Sequence, residues 1–193
     1  MKKNLLFAFF VLLCVVIFAS VSNAEMDLGL RGIGGEVSYV IPDYAGDNTF
    51  GLGVVADLGT ILPILRAEGS ISYWGKSWDA GYYEWGWTTI TIGGIVKYDV
   101  PLGCTTGSSF IPFVGGGPAL VITRWSSDWK GTNNLFGLAD VNTSATNTDI
   151  QLQAVAGVDV PVSSKTKLTV QAKYGLGGNN TLWLTLALMV ALY

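Results

Sequence analysis

The side chains able to do chemistry are few in this chain of 193 residues. It contains no histidine and two cysteines, Cys14 and Cys104. Without imidazole a histidine-dependent triad or dyad is excluded, and so few thiols build no zinc site. Carboxylates remain. Asp79 with Glu84, or Asp128 with Asp140, could share a proton in acid–base work. These four lie in polar stretches between apolar segments, where carboxylates mostly serve solubility. Asp and Asn oxygens there could meet a Ca²⁺ ion, but no stretch has the ligand spacing of an EF-hand loop. The reading is of a protein that is not an enzyme and needs no cofactor.

Aromatic residues are the other concentrated resource. Six of the seven tryptophans fall between positions 74 and 129. Trp74, Trp87 and Trp125 sit at the ends of predicted strands, which reads as an aromatic belt at a membrane–water boundary. Trp78, Tyr82, Tyr83 and Trp85 fall in the middle of a polar joint. With Trp129 they form a candidate contact site, since aromatics are enriched at binding surfaces.

The elements that must position these residues begin after an export signal. Lys2 and Lys3 precede an apolar run from Leu5 to about Ala19, closed by the small residues Ser22-Asn23-Ala24. That order predicts a signal peptide over 1–24, cleaved to leave a barrel-forming domain over 25–193. Removing 24 of 193 residues, Lys2 and Lys3 among them, leaves 169 and moves the formal charge from −3 to −5. An acidic chain without a basic cluster argues against nucleic acid as a partner. Cys104 is then the only cysteine, so no internal disulfide is expected. Charged residues make up 13% of the chain, about half the usual share, and mean hydropathy is +0.43. No later stretch is long and apolar enough for a membrane helix.

Eight strand-like segments are predicted, near 27–40, 50–59, 64–75, 87–100, 109–125, 148–160, 166–176 and 181–193. The odd joints are mostly long: "IPDYAGDNT", "GKSWDAGYYEWGW", "SSDWKGTNNLFGLADVNTSATN", then the brief "GGNN". The even joints, "TILP", "PLGCTTGS" and "PVSSK", are tight. Long loops at one end and short turns at the other suit an up-and-down barrel in an outer membrane.

The faces of these strands sharpen that reading. In "KLTVQAKYG", Lys167, Thr169, Gln171 and Lys173 alternate with Leu168, Val170, Ala172 and Tyr174. Arg66, Glu68, Lys97, Asp99, Asp149 and Asp159 occupy the polar phase of their own segments, as does Asp57. Acids and bases nearly balance. A wet surface needs no such balance, whereas a narrow lumen does, because an unpaired buried charge is costly. We therefore expect Arg66, Glu68, Lys97, Asp99, Asp159, Lys167, Gln171 and Lys173 to plug the inside of an eight-stranded barrel. Asp57 with Arg66, and Asp159 with Lys167, are expected to pair across short hairpins. Strand eight is ambiguous: its greasy even positions leave Tyr193 in phase with Trp183 and Ala187. Either a bulge shifts the register or the inner side of that strand is apolar. Pro112 and Pro118 leave the faces of strand five open.

Four stretches resemble the outer-membrane β-barrel domain family, the small eight-stranded OmpA/OmpX-like barrels. They are "DLGLRGIGGEVSY" at 27–39, "IPFVGGGPALV" at 111–121, "AGVDVPVSSKTKLTVQAKYGLG" at 156–177 and the terminal "TLWLTLALMVALY". The resemblance implies an all-β, antiparallel, up-and-down transmembrane barrel in a bacterial outer membrane. Its partners would be outer-membrane lipid or lipopolysaccharide, the barrel-assembly machinery during insertion, and an unidentified surface ligand. The peptidoglycan-binding domain of OmpA-type proteins is expected to be absent. The function expected is structural and surface-displaying, with aromatic loops for adhesion or ligand contact. The competing readings are a carrier or lateral conduit for small apolar molecules, and a soluble periplasmic β-sandwich or lipocalin-like binding protein.

Overall fold

Segments rich in Val, Ile, Thr and aromatics, alternating with polar residues, favour the half-buried surface of a pleated sheet. In a computed structural model they form eight strands. These are β1 (Asp27–Pro42), β2 (Thr49–Leu62), β3 (Leu65–Asp79), β4 (Tyr83–Asp99), β5 (Ile111–Trp129), β6 (Thr143–Pro161), β7 (Thr166–Leu176) and β8 (Thr181–Ala191). The structure describes residues 27–43, 47–79, 81, 83–101, 110–129, 143–177 and 180–192. The expected signal peptide, Tyr82, Cys104, Asp140 and Tyr193 lie outside the described residues.

Each strand pairs antiparallel with the next, and β8 returns to β1 from Gly32↔Ala191 to Pro42↔Thr181. The ring is closed. Closure leaves no open sheet edge in the part of the barrel that all eight strands share, as hydrocarbon requires. Within β4–β5 the ladder lapses between Gly93↔Ala119 and Val96↔Gly116, beside Pro118, which has no N–H to donate.

The inversion expected from the sequence is present. Val170 is 50% exposed on the outside, while its neighbour Gln171 is 3% exposed inside. Every strand turns large apolar side chains outward, among them Val37, Leu52, Ile71, Ile92, Leu120, Leu152 and Leu186. Such a surface would drive association in water and is the natural exterior in lipid. A soluble sandwich would bury these residues and expose the charges; this fold does the reverse.

The strands are longer than expected at one end. Pairing of β3 with β4 continues to Asp79↔Glu84, although β2 leaves β3 at Gly51↔Trp74. Likewise β5 and β6 stay paired to Ser127↔Thr143, whereas β7 leaves β6 at Leu152↔Leu176. Strands β3 to β6 thus run on past their neighbours as a projecting sheet, by roughly 25–30 Å of strand on β6. Most of the stretch "GKSWDAGYYEWGW" is therefore strand and not loop. Its aromatics pair across the hairpin, and such pairs support a sheet.

In strand eight no bulge is needed over Thr181–Ala191. Its pairing with β1 and β7 is continuous, and Trp183, Ala187 and Met189 face inward. The inner side is mainly apolar, with Thr181 and Thr185 interspersed. In strand five the odd residues Phe113, Ala119, Val121 and Thr123 are buried inside.

Candidate functional site

The interior is built in two layers. The first, toward the β2–β3 and β6–β7 turns, is ionic. Arg66 on β3 donates from Nε to Asp99 on β4 at 2.8 Å and from Nη1 to Asp159 on β6 at 2.7 Å. Thr169 on β7 donates to the other Asp159 oxygen at 2.6 Å. Lys167 lies 3.6 Å from Asp159 and 3.3 Å from Asp57 on β2. Deeper in, Lys97 meets Glu68 at 2.6 Å and sits 4.2 Å from the centre of the Phe113 ring. Lys173 reaches Glu36 on β1 at 2.9 Å. Charge-assisted bonds of this length offset part of the cost of taking the groups out of water.

Seven of the eight expected lumen residues thus meet in ion pairs, and Gln171 is buried beside them. The expected Asp57–Arg66 pair does not form. Gly59, at φ +92°, makes a bulge that sets Asp57 opposite Glu68 and Thr60 opposite Arg66. One Asp57 oxygen accepts from Gly59 N at 3.0 Å, and the other turns to Lys167. The partner of Lys173, Glu36, was missed. Its signal was the alternation of Glu36, Ser38 and Val40 with Val37, Tyr39 and Ile41. Asp149 stands apart from this layer and accepts from Asn147 at 2.6 Å.

The second layer is aromatic. Trp74, Trp87 and Trp183 are buried with Val40 across the upper lumen. The Trp74 ring meets Trp87 edge-on at 4.8 Å and Trp183 at 6.3 Å. Trp125 packs against the same cluster, 6.4 Å from Trp87. The membrane-belt reading of Trp74, Trp87 and Trp125 is therefore wrong. Their positions share the inward phase of β3, β4 and β5, and the strands run past them, so they are not strand ends. The outward aromatics are instead Tyr39, Phe50, Tyr73 and Tyr174 toward the projecting end, and Tyr98 and Phe110 toward the other.

Above this layer, the inner side of the projecting sheet carries the candidate contact residues. Trp78 and Trp85 stack at 4.1 Å, 12° from parallel. Lys76 Nζ lies 5.2 Å from the Trp78 ring and 2.9 Å from Asp47. The Trp78 indole N–H donates to Asp47 at 3.1 Å. These donors hold the Asp47 carboxyl below its usual range, the Lys76 hydrogen bond first and that of Trp78 second. The Tyr83 hydroxyl bonds Ser127 at 2.8 Å. Trp129 pairs with Tyr83 by its backbone, but its side chain, like Tyr82, lies outside the described residues. Trp78, Tyr83 and Trp85 were expected in a loop; they stand on β3 and β4.

Of the carboxylate pairs, Asp79 and Glu84 face each other across β3 and β4. Asp79 accepts the Gly81 N–H at 2.7 Å, a turn-closing role. Among the described residues no three Asp, Glu or Cys side chains converge as a metal site.

No family model matches the chain, and no curated protein does. Solved structures do match. Neisserial surface protein A aligns with a TM-score of 0.60 at 17% identity, covering 85% of this chain and 98% of that one. Ail, the attachment invasion locus protein of Yersinia pestis, aligns at 0.50 and 12%, covering 84% and 95%. The outer membrane protein OprG of Pseudomonas aeruginosa aligns at 0.50 and 13%, covering 88% and 97%. At such identities the likeness shows the fold: this chain is built as a small eight-stranded outer-membrane barrel.

Proposed function

We propose that the protein resides in a bacterial outer membrane as a non-catalytic anchor that holds an aromatic contact surface beyond the lipid. One observation carries the reading. The projecting sheet bears Trp78, Tyr83 and Trp85 on the inner side of β3 and β4, above a lumen that is already filled. A rigid sheet presents aromatics at little entropic cost, which suits recognition. The comparison proteins include a surface protein and an attachment protein, which supports a role at the cell surface.

The test places the nanodisc-held barrel over immobilised glycans and proteins. A Trp78→Ser, Tyr83→Ser, Trp85→Ser variant should keep its heat-modifiable gel mobility and lose whatever binding the parent displays. A variant that binds as the parent does would end the proposal. The conduit reading has less support. Ion pairs and edge-on indoles occupy successive levels of the lumen, and an eight-stranded interior has room for little else.

A further inference from the structure

We propose that the outer wall of the barrel holds one phosphorylated glycolipid of the surrounding leaflet, with its phosphate on Arg124 and an acyl chain along Leu52 and Tyr73. The site begins with two glycines. Gly75 on β3 and Gly86 on β4 fall in the outward phase, alternating with Trp74, Lys76 and Trp87 of the inner face. With no side chains there, the wall is hollowed into a groove of about 390 Å³. Its lower end is apolar, formed by Phe50, Leu52 and Tyr73, and its upper end carries Ser77, Thr88 and Ser126. This change from hydrocarbon to hydroxyl follows the outward face where the apolar band stops. Acyl chains give way to headgroups at that level, and the volume falls within the range of ligand sites.

Arg124 supplies the charge. It is the register partner of Thr88 on one side and Thr146 on the other, and it is exposed on the same outward face as Ser126. The other described cations of this end are engaged: Lys76 binds Asp47, and Lys173 binds Glu36 inside. No carboxylate pairs with Arg124 among the described residues. A guanidinium beside a hydroxyl-lined groove at a lipid boundary matches a phosphate bidentately. The hydroxyls above the groove match sugar oxygens better than a bare glycerol phosphate. The inference rests on the proposed outer-membrane residence, but the site stands on the membrane-facing wall and not on the aromatic mouth, so the contact role and the lipid site can fail separately.

Native mass spectrometry of the folded barrel released from micelles doped with diphosphorylated lipid A tests this. The parent should retain one lipid A. Arg124→Gln should lower retention about tenfold, as for a lost charge-assisted bond, and Arg124→Lys should lower it less. Ser77→Trp, which fills the groove and leaves Arg124 in place, should lower it too. Gel mobility with and without boiling checks that each variant folds. The proposal is overturned if the dephosphorylated glycolipid is retained equally, or if phosphatidylglycerol is retained as well as lipid A. Unchanged retention in Arg124→Gln or in Ser77→Trp would overturn it as well.

Discussion

Lys97 is 1% exposed and depends on Glu68, 2.6 Å away, for its neutralising charge. Removing one partner of such a pair leaves a charge in a low-dielectric interior, so Glu68→Leu should cost about 3–5 kcal/mol. The double variant Lys97→Met, Glu68→Leu should cost far less, because neither charge remains. Urea titration of refolding into lipid vesicles, followed by the gel-mobility shift, measures both; equal losses would contradict the ion-pair account. Asp47 offers a second test outside the membrane. Its carboxyl is held below the ordinary value of 3.8 by Lys76 and Trp78. A lowered folded value means that the contact is present above the usual carboxylate range and lost as pH falls through the lowered value. The Trp78 indole N–H resonance should therefore shift with a midpoint below 3.8 and be insensitive to pH in Asp47→Asn. A midpoint at or above that value would show that the hydrogen bonds do not persist in solution.

At the scale of an element, the two faces of β7 make opposite demands. Val170 looks outward and Gln171 inward, one residue apart. Arginine at 170 would enter hydrocarbon and should cost about 2–4 kcal/mol. If Val170→Arg unfolds at the parent's urea midpoint, the lipid-facing assignment of β7 is wrong. The aromatic layer makes a further prediction for β3. Trp74 is 1% exposed against Trp87 and Trp183, so Trp74→Ala should cost about 3–5 kcal/mol through the cavity it leaves. A belt residue at the membrane surface would cost much less, so the same titration separates the two positions.

For the whole molecule, a closed ring with a filled interior should show heat-modifiable mobility and no channel openings of fixed size in planar bilayers; stable openings would contradict the plug. The alternation of "KLTVQAKYG", the near-balance of acids and bases and the absence of histidine were enough to read eight strands, their polar inside and the lack of imidazole chemistry. Such features are local: side-chain direction in a strand has a period of two, and each residue carries its own polarity. Partner choice is not local. Arg66 turned to Asp99 and Asp159 and left Asp57 to Lys167, ring closure brought Lys173 to Glu36, and continued pairing turned a supposed loop into a sheet with its tryptophans inside. Those outcomes depend on register and on which strand lies across the lumen, and only the closed barrel sets distances between residues far apart in the chain.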